Sequence, residues 1–430
     1  MRPADEMGNG RGRRPYVAVL TVATFVVLLA GDFGLDRVGM LNPFPLPERT
    51  MAAIAILVLS LPRRDFTRVS GSVVAVCALL ATLALSFGWA PPTPHGGTAA
   101  IDAVTAGLLV LAFFYQCRAE PQVAVRALAV AVLSAGVVYA GFGLLSPAAS
   151  TRLSVFGGGP NVFARVTGAG VLASFYLYAV DRRARYLLFV PPLVVATFLS
   201  GSRGGMVALA VAMVISSRWL IHALNRRLGV ALLVVAGSGA AALTFFRAQV
   251  ENMFAERIVK LTLEERYSSG RDGLIPSAIE MFRSEPLFGW GIEGWKGTVG
   301  RSYSLDYPHN LPAQLAAELG LVGLSLLVLA VALYLLELAR VRKVWRDTAF
   351  FSMSGFVFVL TASQVSGDYY DARMMWIYMA IPGALLLAAD VGTGSRRATP
   401  DQQPVASFAA ATATGPGGSD RGSDAPASIT

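Results

Sequence analysis

The chain alternates between long apolar runs and short polar joints. Tyr16–Gly31, Ser72–Ala90, Val123–Leu145, Val207–Ile221, Leu228–Phe246, Leu319–Leu338, Ala349–Val365 and Met374–Ala389 are almost free of charge. A spanning helix needs ~20 mostly apolar residues, roughly 17–25 in practice, and several of these runs reach that length with their flanking turns. Backbone amides in lipid must be satisfied within the segment, so the spanning form is helical. The pattern predicts an all-α integral membrane protein of about twelve spans, centred near residues 23, 55, 80, 108, 134, 171, 193, 213, 238, 327, 358 and 381. The second (Glu48–Leu61) and seventh (Tyr186–Ser200) are short, which leaves eleven as the alternative. Arg11, Arg13 and Arg14 before the first run resemble the start of a signal peptide, but the many spans that follow make it a signal anchor.

Composition agrees. Of 430 residues, 54% are hydrophobic and only 15% charged, with a mean hydropathy of +0.56. A soluble domain of this length could not hide so much apolar surface behind so few charges. The positive-inside rule predicts cytoplasmic segments at 1–15, 62–70, 117–126, 181–185, 216–227, 339–346 and from 392 onward, together holding roughly 22 of the 36 basic residues. About eight of the remaining 14 sit in one long outer loop, 247–309, and long loops barely obey the rule. The expected topology has both termini inside, in the plasma membrane. The net charge of +9 then reflects orientation and anionic headgroups rather than nucleic acid.

The division expected is a basic N-terminal tail (1–15), a polytopic membrane domain (16–391) and a Gly-, Ser-, Ala-, Thr- and Pro-rich cytoplasmic tail (392–430) of disordered composition. Within loop 247–309, Ile275, Ala278, Ile279 and Phe282 recur at helical spacing and predict a short amphipathic helix on the membrane, followed by a Gly- and Trp-rich turn, Pro286–Trp295. Cys77 and Cys117 are too few and too apolar in setting for a disulfide framework. His95, His222 and His309 form no ligand-spaced cluster, so neither metal nor cofactor is expected.

Several polar motifs fall on the predicted outer side. Gly201-Ser202-Arg203-Gly204-Gly205 is a tight turn that lets a ligand approach Arg203, or an arginine snorkelling to headgroups. Arg266-Tyr267-Ser268-Ser269-Gly270-Arg271-Asp272 suits an oxyanion, since guanidinium binds phosphate bidentately, or is a solvated loop with a local ion pair. In Tyr307-Pro308-His309-Asn310-Leu311-Pro312, Asn310 is a natural N-cap, and His309 would stand at a helix N-terminus that favours anions. Asn310, Gln314 and Glu318 recur every four residues, and such a stripe within an apolar span should look into a cavity rather than lipid. Ser366-Gly367-Asp368-Tyr369-Tyr370-Asp371-Ala372-Arg373 offers Asp368 to an arginine or a sugar hydroxyl, or merely caps helices. Gly157-Gly158-Gly159-Pro160-Asn161 opens the sixth span, and Arg165, one turn in, needs a partner or water.

Taken together, Gly-Ser-Arg-Gly at 201–204, Ser-Gly-Arg at 269–271, Pro-Leu-Phe-Gly-Trp-Gly at 286–291 and His-Asn-Leu-Pro-Ala-Gln-Leu-Ala-Ala-Glu-Leu-Gly at 309–320 resemble the O-antigen ligase and polymerase superfamily, most strongly over 155–325. The resemblance implies a glycosyltransferase-C-like helical fold. It implies a glycan donor on a polyprenyl diphosphate, transferred without metal or cofactor to an acceptor hydroxyl on a glycan or glycolipid. By motif, Arg203 and Arg271 match arginines that engage the donor diphosphate, with Arg266 beside them, and His309 matches a histidine acting near the acceptor. Asn310, Gln314, Glu318, Asp368 and Arg165 are the expected cavity-lining residues. The rival class is a secondary transporter, which should carry charged or interrupted helices near the midplane in repeated halves; neither feature is evident in the sequence.

Overall fold

The computed structural model describes residues 4–31, 45–61, 68–145, 152–224, 273–303 and 305–397, with scattered positions between 233 and 251. Among the described residues the chain is helical, without strands. In order the helices are α1 (Ala4–Ala30), α2 (Leu46–Ser60), α3 (Gly71–Leu85), α4 (Gly96–Ala119), α5 (Pro121–Leu145), α6 (Gly159–Asp181), α7 (Val190–Leu199), α8 (Arg203–Leu224), α9 (Leu274–Ser284), α10 (Leu311–Val341), α11 (Arg346–Val365) and α12 (Arg373–Arg397). Residues 1–390 form one compact unit, and 391–430 a second that is described only as far as Arg397. Every predicted span centre falls in one of these helices except that near 238, which lies among the scattered positions.

The protein is a multi-pass membrane protein. Among the described residues, six helices are long and apolar enough to cross a bilayer: α3 with its 3-10 extension to Gly88, α4, α5, α6, α10 and α11. The apolar stretches Arg14–Ala30, Ala184–Leu199 and Arg373–Ala389 are shorter. The most apolar 18-residue stretch of α6 is 83% buried, against 33% for that of α10. Helix α6 is therefore the central post. Its small residues allow this: a Cβ on Gly170 would lie 3.3 Å from the Gly136 Cα of α5, and one on Gly168 would strike the Phe358 ring of α11. Close backbone approach through small residues is how helices gain packing contact where lipid offers no hydrophobic drive.

Helix ends gather alternately at two opposite sides. On one, Arg14 pairs with Glu120, Arg126 with Asp181 at 2.8 Å, and Trp219 Nε1 donates to Asp347 at 2.9 Å. There too the Glu337 carboxylate accepts from Ser72 N and Oγ at the start of α3, where the helix dipole favours a negative charge. On the other, Trp89 Nε1 donates to Gly289 O at 3.2 Å and Thr93 Oγ1 to Glu293 at 2.6 Å. Asp102 of α4 pairs there with both Arg49 of α2 and Arg373 of α12, at 3.2 and 3.6 Å.

Helix α10 is broken at Gly320, whose φ of 61° and ψ of −149° lie in a region open essentially to glycine alone. In an unbroken helix Leu321 N would donate to Ala317 O, and Val322 N to Glu318 O. Instead the segment Pro286–Gly291 takes both halves of both bonds. Trp290 N and Gly291 N donate to Ala317 O and Glu318 O at 3.0 and 2.7 Å, while Leu321 N and Val322 N donate to Pro286 O and Leu287 O at 2.8 and 3.2 Å. Close approach demands glycine on both strands of this exchange. A Cβ on Gly320 would sit 2.5 Å from the Leu287 carbonyl oxygen, and one on Gly289 would strike the Glu318 backbone.

The short helix α9 forms where the spacing predicts. Leu274, Ala278 and Met281 are buried against Trp295 and Ala317, while Ile275 and Ile279 are exposed. The reason is Trp295, a fully buried ring that needs an apolar lid. Replacing Gly320 by Ala should cost at least about 1–3 kcal/mol in backbone strain, and more from the collision, read as a lower thermal midpoint in detergent. Gly141→Ala on α5, where a Cβ meets nothing within 4 Å, should leave the midpoint unchanged or slightly raised.

Candidate functional site

The C-terminus of α11 is the meeting point of the motifs. A helix ends with carbonyls that lack an intrahelical partner, and away from water these need donors. Asn310, at the N-cap of α10, supplies one: its Nδ2 donates to Gln364 O at 3.1 Å, while its Oδ1 accepts from Ala313 N at 2.9 Å. Arg165 of α6 supplies another through Nη2 to Ser366 O. Asn161, in the first turn of α6, donates to Ser366 Oγ at 2.5 Å and accepts from Ser202 Oγ at 2.9 Å. Gly204, at the start of α8, lies so close that a Cβ there would be 3.1 Å from Val365 Cβ. The N-termini of α6, α8 and α10 thus abut consecutive residues, 364 to 366. Each carries the partial positive charge of a helix start, which favours an anion.

Arg203 is the first residue of α8, half-buried. His309 precedes the α10 N-cap with φ of 58°, a left-handed conformation uncommon for a non-glycine residue, and its ring lies 4.3 Å from that of Tyr307. Tyr307 also lies within electrostatic reach of Arg165. The Arg165 guanidinium is buried and pairs with Asp371 Oδ2 at 2.8 Å. Gly367 is required beside it, since a Cβ there would collide with that guanidinium. Asp368 Oδ1 accepts from Asp371 N at 2.8 Å and fixes the 366–373 turn. Burial, reinforced by the Asp371 carboxylate, pushes Asp368 up to about 7, so it exchanges a proton near neutrality.

The stripe on α10 faces protein, as a polar stripe must. Glu318 is fully buried, with Oε1 accepting from Trp295 N at 3.3 Å and Oε2 from Gln314 Nε2 at 3.5 Å. It looks onto the 290–297 segment through the Trp295 amide. Arg203, His309, Asn310, Arg165 and Asp368 are therefore brought to one region, with Gln314 and Glu318 behind it. Arg266 and Arg271 lie outside the described residues.

Sequence reasoning paired neither Asn310 with Gln364, 54 positions on, nor Arg165 with Asp371, about 200 positions on, because no local spacing announces which distant residue a side chain meets. Asp102, shared by Arg49 and Arg373, was equally hidden; the one available signal was an isolated acid one turn inside an apolar run. Arg165→Ala should destabilise by about 3–5 kcal/mol, because it strands the Asp371 carboxylate. Arg165→Ala with Asp371→Ala should recover part of that loss, as measured by unfolding of the single and double variants in detergent.

No curated protein matches the chain. Residues 186–328 match the model of the family described as O-antigen ligase, a stretch that runs from the approach to α7 through the Gly320 break of α10. It includes Arg203, the 286–291 segment and His309. Over that stretch, about a third of the chain, the sequence is similar to the O-antigen ligase family.

Proposed function

We propose that the protein transfers a glycan from a polyprenyl diphosphate to an acceptor hydroxyl at the side of the membrane where α6, α8 and α10 begin. The observation that carries this reading is the abutment of those three helix N-termini on residues 364–366, with Arg203 and His309 at two of them. In the proposed reaction the acceptor oxygen attacks the anomeric carbon of the donor's first sugar. The bond from that carbon to the phosphate oxygen breaks, and polyprenyl diphosphate leaves with the electron pair. Its growing charge is met by Arg203, by Arg271 and Arg266 from the 247–309 loop, and by the helix N-termini, which need no reorganisation as the charge develops. No metal is required for that stabilisation.

The acceptor proton goes to His309, imidazole being the side chain most often used as a general base. Lipid-linked glycan and membrane lipid are the partners in this reading. In this reading that side lies outside the cell and both termini inside, as the basic bias of the short loops favours, with about twelve spans in a glycosyltransferase-C-like arrangement.

The test is transfer in proteoliposomes with a polyprenyl-diphosphate-linked oligosaccharide, native membrane acceptors and EDTA throughout. Wild type should transfer. Arg203→Ala and Arg271→Ala should each lose roughly 10²–10³-fold in kcat, and His309→Ala roughly 10²–10⁴-fold. Product length separates a ligase, which moves one finished glycan, from a polymerase. No transfer to any acceptor, together with solute uptake indifferent to these substitutions, would instead establish a transporter.

A further inference from the structure

The end of the long loop carries apolar residues that neither the core nor the site uses. With 3.6 residues per turn, α9 has three faces. Leu274, Ala278 and Met281 turn inward against Trp295. Pro276, Glu280, Arg283 and Ser284 form an exposed face on the far side. Between the two lies a second apolar face, with Ile275 and Ile279 exposed and Phe282 half-buried. Beyond α9 the Trp290 indole donates to Met281 O at 3.1 Å and folds the chain back, leaving Leu287 and Phe288 exposed as well.

Two spanning helices fix the depth of that stretch. Leu287 O accepts from Val322 N just past the Gly320 break. From Leu321 to Val341, α10 rises about 30 Å at 1.5 Å per residue, which matches a hydrocarbon core of ~30 Å, and Arg340 and Arg342 mark the other end. Leu321 and Leu287 therefore stand at one boundary of that core. Helix α3 agrees. It pairs with α10 through Ser72 and Glu337. Its extension ends at Gly88, about 24 Å from Ser72, just as Leu321 is about 24 Å from Glu337. There the Trp89 ring meets the Phe288 ring edge-on at 6.2 Å, and Trp89 Nε1 donates to Gly289 O. Leu85, Phe87, Trp89 and Leu321 are exposed beside them. The patch is continuous with the lipid-facing sides of two spans, at the level where tryptophan collects in membranes.

We infer that the 275–288 stretch is a membrane-contacting element. Leu287 and Phe288 sit among the acyl chains at the boundary of the leaflet, and α9 lies in the interface with its second apolar face to lipid. A helix with one polar and one apolar face lies in the plane of the interface and gains from burying the apolar one. The second face carries no charge, while Glu280 and Arg283 on the far face stay in water. Lipid contact here depends on neither the transfer reaction nor the orientation of the chain.

The test places an NBD fluorophore at single cysteines of the full chain, in a Cys77→Ala, Cys117→Ala background, in vesicles of phosphatidylcholine and phosphatidylglycerol. Ile279→Cys and Phe288→Cys should emit to the blue of Glu280→Cys, and should lose emission when lipids brominated near the top of the acyl chain are included. Glu280→Cys should instead be quenched by aqueous iodide. Leu287→Cys reports on the same stretch while keeping the Phe288 contact to Trp89, in case the Phe288 variant fails to fold. Iodide quenching at 279, 287 and 288 equal to that at 280 would overturn the assignment and put the stretch in water. Quenching there by neither agent would overturn it too, because protein, either another part of the chain or a second copy, would then cover the face.

Discussion

The exchange of backbone hydrogen bonds at Gly320 is the constraint on which the arrangement of motifs depends. A helix interrupted near the membrane strands amides and carbonyls, each costing several kcal/mol in lipid unless another part of the protein pairs with it. Pro286–Gly291 pairs with two carbonyls and two amides at once, so the break leaves none of those four groups unmatched. The exchange also does two geometric things. It frees the nine residues Leu311–Leu319 to start at an angle their continuation does not dictate, and it pins the end of the long loop against them. Asn310 and His309 stand at the head of that freed half-helix.

The second constraint is the C-terminus of α11. Its last carbonyls would be orphaned, and their donors come from Asn310 and Arg165, side chains of helices whose own starts need a nearby negative end. Helix starts and a helix end thus satisfy one another, and in doing so gather the polar motifs of 160–165, 201–205, 307–312 and 366–373. The arginine that would be costly on an isolated span is tolerable here because Asp371 and Ser366 O meet it. A site built on such mutual capping is rigid, which suits a reaction whose catalysis consists largely of fixed dipoles and charges.

Much of this was legible in the sequence, and what was not has a physical reason. The spans follow from apolar length, a property of each segment alone. The N-cap role of Asn310 follows from residue type and position, and the structure reproduces it. The rule that Asn310, Gln314 and Glu318 avoid lipid held, but their partner did not follow from it: a polar stripe states what it needs, not whether a cavity or the Trp295 amide supplies it. Likewise Pro-Leu-Phe-Gly-Trp-Gly and Leu-Gly at 319–320 were each recognisable as motifs, while their pairing depends on two backbones meeting with no side chain to announce it. Helix α9 shows the converse. Its spacing called for an apolar face, and with apolar residues on two faces the buried Trp295 decided which one turned inward.

The central claim is that a lipid diphosphate sits among the N-termini of α6, α8 and α10. The most direct measurement is an electron cryomicroscopy map of the protein in lipid nanodiscs saturated with polyprenyl diphosphate. The account predicts diphosphate density within hydrogen-bond distance of Arg203 and facing His309, with the long loop folded over it. Density for the diphosphate at any other place, with that region filled by side chains alone, would contradict it.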